Sequence, residues 1–539
     1  MRHPIHPAWL LAATSLAGPA FANEKPPETV IDADGAVIGE IVLWRSNIFD
    51  LSDPDEDKWL YRLANRLHIV TRESIIDKQL LFRPGDRYSQ RKVEESERIL
   101  RSRKYLYDAD IRPLQVEDGV VDVEVETQDI WSLLPDLSYS RGGGEDKWKV
   151  GIEDSNLFGR GQLLNVSYVD DVDRTSRSIH FADNHVGQSW VSVAANYSDN
   201  SDGETSALSV IRPFYALDAK WAAGGSVYGD DRRSTLYVLG NADAEYRHER
   251  DYASLWAGWS SGISNGLVRR WTGGLVYDVN RFSDVENPTL LSIRPNDRKL
   301  IYPFVGFELV EDEYETSRNH DQIGRTEDFL MGRRVTASLG WADESLSANR
   351  EALLLSASAS RGYGELEGTA ILLALQASTR LESGHSRNSL FTASARLYHR
   401  QSEKRLFFAS IDGTAGHALD VDNPIYVGGK TGLRGYPFRY QSGDSRLVAT
   451  IEQRYFTNWY PFRLVHVGAA VFADVGRAWG VNPAGAEARE WLTDVGFGLR
   501  LAPTRFSHRK VFHLDFAFPL TGDSSIDSMQ IYFRAKRRF

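Results

Sequence analysis

Two hydrophobic periods divide the chain. Between about residues 36 and 128, strand-like and helix-like spacings follow one another; from Trp131 onward only the two-residue period of a strand recurs. The first part predicts a strand over 36–43 and then a helix over 55–68. Asp53-Pro54 would open that helix as N-cap and first-turn proline, with Asp55, Glu56 and Asp57 in the first turn. Trp59, Leu60, Leu63 and Leu67 fall on one side of it. A second helix is predicted over 72–81, ended by Arg83-Pro84-Gly85, and a third runs from after Ser89 to about Arg103. Strands over 108–114 and 119–127 then form a hairpin around Glu117-Asp118-Gly119. Val121, Val123 and Val125 share one face of its second strand, and Asp122, Glu124 and Glu126 the other. Such a sheet has one covered face and one wet face.

The second part is a series of alternating segments with no helix between them, separated by Gly, Asp, Asn and Ser turns. Over 464–476, Val465, Val467, Ala469, Val471, Ala473 and Val475 oppose Phe472, Asp474 and small residues. Over 491–501, Val495, Phe497 and Leu499 oppose Asp494 and Arg500; over 510–518, Phe512, Leu514 and Phe516 oppose His513 and Asp515. A soluble β-sandwich shares this dyad pattern. A barrel is favoured by the unbroken series of strands and by charges confined to the face opposite the aliphatic one. It is also favoured by aromatic residues near strand ends, such as Trp459-Tyr460, Trp479 and Trp491. In hydrocarbon only a closed barrel pairs every backbone group of a sheet. The predicted fold class is therefore mainly β: a C-terminal antiparallel transmembrane β-barrel preceded by one α+β domain. Segment counting gives about 20 strands, with 236–249 and 366–382 readable as long hairpins projecting past the membrane.

Composition refines this picture in three places. The 539 residues contain no cysteine, which excludes disulfides, thiolate metal sites and a cysteine nucleophile. The net charge of −11 argues against nucleic acid as partner. The mean hydropathy of −0.38 and the lack of a long apolar run past the N-terminus exclude a helical membrane protein, while alternating strands escape such averages. At the N-terminus, Arg2 and His3, the apolar stretch 8–17 and the triplet Ala20-Phe21-Ala22 have the layout of a secretory signal peptide. The expected organisation is a signal peptide over 1–22, a linker over 23–35, the α+β domain over 36–128 and the barrel over 129–539.

The chemistry concentrates in one glycine-rich loop, Val427-Gly428-Gly429-Lys430-Thr431-Gly432-Leu433-Arg434-Gly435-Tyr436, after the strand over 406–416. Alternation sets Asp474 on the inner wall. It sets Glu452 on a face with Arg446, Thr450 and Arg454. Leu433-Arg434-Gly435-Tyr436 resembles the (V/L)RG(F/Y) motif of the BamA/TamA outer-membrane assembly superfamily. The strand, two helices and hairpin of the first part resemble its POTRA domain, with 71–86 like that domain's first helix and turn and the helix over 55–68 additional. Asn156-Leu157-Phe158-Gly159-Arg160-Gly161 fits the same family. The resemblance implies about 16 strands and a motif loop folded back into the barrel, with Arg434 held by the inner-wall partners Glu452 and Asp474. It also implies Phe539 as the C-terminal barrel signal.

The function so implied is insertion, assembly or translocation of proteins at the outer membrane of a Gram-negative bacterium, with the POTRA-like domain in the periplasm. Its partners are extended or unfolded client proteins and outer-membrane lipid, with room for periplasmic factors. Neither a cofactor, a metal nor a catalytic residue is implied. The alternatives are an outer-membrane channel and, behind it, a phospholipase-like barrel hydrolase. Gly258-Trp259-Ser260-Ser261-Gly262 matches a nucleophile elbow in letters, but no helix is predicted to follow it. Gly429-Lys430-Thr431 lacks the first glycine of a phosphate loop, since Pro424 stands there. Asp170-Asp171 and Asp230-Asp231 read as solvated turns rather than calcium sites.

Overall fold

The computed structural model describes residues 35–135, 137–142, 144–187, 189–286, 290–481, 490–506, 510–522 and 526–536. The expected signal peptide and Phe539 lie outside them.

The N-terminal unit is a three-stranded sheet covered by helices. Its strands are β1 (Val37–Ser46), β2 (Leu106–Glu117) and β3 (Val120–Asp129), in the order β1-β3-β2. β1 runs parallel to β3, and β2 antiparallel to it. The helices are α1 (Trp59–Leu67), α2 (Glu73–Asp77) and α3 (Gln90–Arg101). Val121, Val123 and Val125 point into a core shared with Ile38, Ile76, Phe82, Val93 and Leu100, so the alternation of β3 sets which face the helices cover.

The first two helices are shorter than the predicted spans. α1 begins at Trp59, because Asp53 caps only a turn: its carboxylate accepts from the Asp55 N–H at 2.9 Å, and Lys58 is extended. α2 ends at Asp77, where Gln79 turns inward to bond the Tyr105 hydroxyl at 2.8 Å.

From Leu133 to Lys536 the described chain forms a closed antiparallel barrel of twenty strands. This agrees with the segment count and exceeds the 16 that the resemblance implies. The first strand comes in two pieces, Leu133–Pro135 and Ser138–Gly142, and the last is Gln530–Lys536. Apolar residues such as Leu255, Val305, Ile451 and Phe497 are exposed on the outer face. Inside, hydroxyl pairs such as Thr336–Ser358 (2.7 Å) line the wall. The strands Trp221–Val238 and Asn241–Ser264 form the long hairpin expected near 236–249. At ~3.4 Å per residue, 24 residues reach about 80 Å, well past the 9–11 residues a tilted crossing requires.

Closure is uneven. The last two strands, Val511–Pro519 and Gln530–Lys536, pair at seven positions. Among the described residues the last and first strands pair at one position, Phe533 with Arg141, supported by the Tyr139 and Phe533 rings 6.4 Å apart. This is the seam.

The N-terminal unit docks on the turns at one mouth, here called proximal. The Arg72 N–H donates to the Gly159 carbonyl at 3.0 Å. Arg505 donates to the Ile48 carbonyl at 2.7 Å and pairs with buried Glu56. Arg101 of α3 makes a bidentate pair with Asp328 at 2.6 and 3.2 Å. Breaking a buried pair of this kind costs about 3–5 kcal/mol, because a charge is left unmatched. The double variant Arg101→Ala/Arg505→Ala should therefore release the unit, seen as new protease cleavage within 129–132 while the barrel keeps its folded gel mobility. An unchanged digest would contradict docking through these pairs.

Candidate functional site

The motif residues Leu433, Arg434, Gly435 and Tyr436 of the glycine-rich loop are buried inside the barrel. The loop, 418–444, leaves the strand Arg405–His417 at the far mouth and returns to the strand Ser445–Phe456. Three bidentate pairs moor it across the lumen. Arg298 holds Asp422 (2.9 and 2.6 Å), Arg380 holds Asp420 (2.9 and 3.0 Å), and Arg439 reaches Asp173 on the opposite side (2.8 and 3.0 Å). A short ladder between Ile425–Val427 and Gln441–Gly443 closes its base.

The loop's tip carries the motif. Leu433 is fully buried among Val427, Val448, Ala478 and Leu492. The Tyr436 hydroxyl lies 2.7 Å from the Thr493 carbonyl and accepts the Thr493 N–H at 2.9 Å. Gly435 is required by proximity: a Cβ there would stand 2.7 Å from the Asp494 Cβ, and its N–H donates to the Asp494 carboxylate at 3.1 Å. A side chain at this position would push the loop off the wall.

Between them, Arg434 reaches the wall. Its Nε and Nη2 donate to the two Asp474 oxygens at 2.8 and 2.9 Å, and Nη1 donates to Glu452 Oε2 at 3.0 Å. The guanidinium lies 3.3 Å from the centroid of the Phe472 ring, and Asp515 is a longer ion-pair partner at 3.6 Å. The planar fork of arginine satisfies this carboxylate, ring and second carboxylate together, a combination a lysine ammonium does not offer. Leu433, Arg434, Gly435, Tyr436, Glu452 and Asp474 are thus brought together.

The cluster extends further than the motif. Arg454 donates to Glu452 Oε1 at 3.0 Å, and Arg500 to Glu452 Oε2 at 3.4 Å and to Asp515. The guanidinium groups of Arg434, Arg454 and Arg500 interleave with the carboxylates of Glu452, Asp474 and Asp515. Alternation already placed Arg454, Arg500 and Asp515 on inner faces, but no sequence signal joined them into one network.

Nor did any signal identify the second insertion. The segment 312–333, between the strands Arg298–Glu311 and Arg334–Ala342, folds into the proximal mouth as a hairpin of Tyr314–Arg318 and Thr326–Leu330. Arg454 donates to its His320 carbonyl at 2.6 Å and pairs with its Asp321 at 3.4 Å, while Tyr398 donates to Asp321 at 3.1 Å. The same hairpin carries Asp328, the partner of Arg101, and Arg325, which donates to the Leu106 carbonyl at 2.9 Å. A continuous run of polar contacts therefore joins α3 to the hairpin, to Arg454, to Glu452 and to Arg434.

At the hairpin's centre, Glu327 accepts the backbone N–H groups of His320 (2.9 Å) and Asp321 (3.0 Å). Burial, reinforced by the Asp321 carboxylate, nevertheless pushes its carboxyl up to about 8.

The enzyme look-alikes dissolve in this fold. Ser260 lies inside the strand Asn241–Ser264, its hydroxyl bound to the Arg269 carbonyl at 2.9 Å. Lys430 sits 4.2 Å from the centroid of the Phe438 ring. Asp171 is paired with Lys147 and Asp231 with Arg247. Among the described residues no group of three or more potential metal ligands converges.

Residues 68–128 match the POTRA family model, described as surface antigen variable number repeat. In fold the chain is similar to BamA from Haemophilus ducreyi lacking POTRA domains 1–3, at 14% identity over 92% of this chain and 84% of that one, with a TM-score of 0.37. It is also similar to CdiB from Acinetobacter baumannii (14% identity, 93% and 74% covered, TM-score 0.45). CdiB from Escherichia coli gives 14% identity, 92% and 76% coverage and a TM-score of 0.45. A comparison with curated proteins finds no match.

Arg434→Ala should cost about 3–5 kcal/mol by leaving Asp474 and Glu452 buried without their cation. The barrel should unfold on semi-native gels at lower temperature, with new protease cleavage in 418–444, and Arg434→Lys should recover only part of the loss. Identical melting of all three proteins would contradict the assignment.

The Glu327 value carries a sign. A carboxyl whose folded pKa exceeds its unfolded one stabilises the folded form at low pH and loses that contribution as pH rises through the folded value. Hydrogen exchange in 312–333, corrected for its intrinsic pH dependence, should quicken progressively as pH rises from the ordinary carboxyl range towards about 8 and level off above it, and Glu327→Gln should flatten that dependence.

Proposed function

We propose that this chain, with a POTRA-type domain ahead of a closed antiparallel barrel as in the BamA/TamA-type outer-membrane assembly superfamily, inserts or translocates other proteins at the outer membrane of a Gram-negative bacterium. After removal of the signal peptide over 1–22, residues 36–128 stand in the periplasm and 129–539 form the barrel. The proximal mouth then faces the periplasm and the loop 418–444 comes from the cell surface.

The observation that carries this reading is the seam, with one paired position among the described residues where the neighbouring strand pair has seven. Strand edges with unpaired N–H and C=O groups template pairing with another chain. At a seam so thinly closed, an extended client strand exchanges one set of backbone hydrogen bonds for another, with no covalent step and no nucleotide. β1 offers a second edge: beyond Ile38 it pairs only with β3 among the described residues. Extended clients added there would be held under the mouth by main-chain bonds, with little demand on their sequence.

Arg434 serves this work by positioning. It fixes the loop against the strands Ser445–Phe456 and Val465–Trp479, so the wall a few strands from the seam keeps its shape while the seam itself yields. With Glu452, Asp474, Leu433, Gly435 and Tyr436 it forms a structural lock rather than a catalytic centre. A single POTRA-type domain offers few docking edges, which fits a restricted or accessory set of clients.

Depletion of the protein followed by outer-membrane proteomics tests this reading. A defined group of outer-membrane or surface proteins should fall in abundance, while the lipid-anchored and periplasmic proteomes hold steady. An unchanged surface proteome, with stable salt-dependent conductance from the purified protein in bilayers, would favour a channel instead.

A further inference from the structure

α1 lies outside the residues matched by the POTRA model and has three distinct sides. Its inner side is held firmly. Tyr61 stacks on Phe49 with centroids 4.2 Å apart, its hydroxyl donates to the Phe462 carbonyl, and Asn65 donates to the Phe49 carbonyl at 2.8 Å. The side that the apolar period marks is not covered: Trp59, Leu60, Leu63 and Leu67 are 71, 52, 40 and 64% exposed. Exposed Ile69 continues it. The third side carries exposed cations, Lys58, Arg62 and Arg66, of which Arg62 pairs with Asp57 at 2.7 Å.

Its position gives the bare face a neighbour. At one end, Tyr61 and Asp55 hold the turn 457–464 through Phe462 and Arg463, and Arg505 of the adjacent turn holds Ile48 and Glu56. At the other end, Ile69 and Arg72 border Gly159 in the turn 155–162. Between those turns around the barrel lie the last and first strands. The segment 55–72, with α1 at its middle, therefore contacts proximal turns on both sides of the seam. The two turns that frame it carry exposed aromatics of their own, Trp459 and Phe462 on one side and Phe158 on the other. Rim aromatics of a barrel sit at the headgroup level of the bilayer.

We infer that α1 is an interfacial lipid anchor at the foot of the seam. Its apolar face continues the barrel's aromatic rim into the headgroup layer, and its cationic side meets lipid phosphates. An apolar stripe flanked by Lys and Arg on a short helix is the arrangement that lies in the plane of a membrane surface. The anchor holds the domain beside the bilayer where the barrel is most weakly closed. The inference rests on the membrane reading of the barrel.

The absence of cysteine from the chain allows single spin labels in the full-length protein. Labels at Leu63→Cys, at Leu255→Cys on the barrel's outer face and at Glu94→Cys on the exposed side of α3 are compared in vesicles of phosphatidylethanolamine and phosphatidylglycerol. Collision with oxygen, which partitions into lipid, is measured against collision with a water-soluble nickel chelate. The oxygen-to-nickel ratio at Leu63 should be severalfold above that at Glu94 and approach that at Leu255. A Leu63 label as water-accessible as Glu94, with Leu255 in lipid, overturns the anchor alone. A Leu63 label shielded from both probes overturns it in favour of a protein partner, such as a second copy. If Leu255 itself reads as water-exposed, the membrane reading fails and the anchor with it.

Discussion

Arg434 brings a full positive charge to a site with almost no water, and the surrounding architecture is arranged to make that tolerable. An isolated buried charge costs many kcal/mol, so the site persists only if carboxylates arrive with it in good geometry. They come from neighbouring wall strands, Glu452 from Ser445–Phe456 and Asp474 from Val465–Trp479, and each is also bonded to a second partner. Thr450 donates to Asp474 at 2.7 Å, and Arg454 supports Glu452. The loop cannot leave without stranding these anions, and the wall cannot shift register without losing them. One residue thus couples the conformation of a 27-residue loop (418–444) to the alignment of the strands behind it.

Much of this was legible in the sequence because the signals involved are local. A period of two assigned Asp474, Asp494, Arg500 and Asp515 to the inner wall, and glycine-flanked Arg434 stood out by composition. What remained hidden depends on barrel closure. Which inner residues face each other is fixed by strand order and stagger, so Asp321, more than a hundred residues before Arg454, left no trace of their contact. The moorings Arg298–Asp422 and Arg439–Asp173 are equally non-local. α1 shows the reverse case. Its period was readable and correct, but a period identifies an apolar face without saying what covers it, and here the protein core does not.

The distribution of bonding around the barrel is also informative. Where strands carry the buried network, pairing is long and regular, with twelve register positions between Ser445–Phe456 and Val465–Trp479. Only four strands further round, pairing among the described residues falls to one position. Rigidity and weakness are adjacent, so strain applied at the seam is resisted within a few strand widths by the lock rather than spreading round the wall. The N-terminal unit grips turns on both sides of this boundary, through Arg505 on one side and Arg72 on the other.

Twenty strands have a consequence for permeability. At ~4.8 Å between strands and the usual tilt of about 40°, such a barrel is about 40 Å across, wide enough to leave an aqueous hole once its walls are lined. An unobstructed hole of that bore would admit bile salts, dyes and large antibiotics alike. The chain fills it from both ends, with the loop from the far mouth and the hairpin from the proximal one, and the two stoppers share a single carboxylate, Glu452, through Arg434 and Arg454. Closure of the lumen is therefore a joint property of two segments, and relaxing either one exchanges selectivity of the barrel for motion inside it.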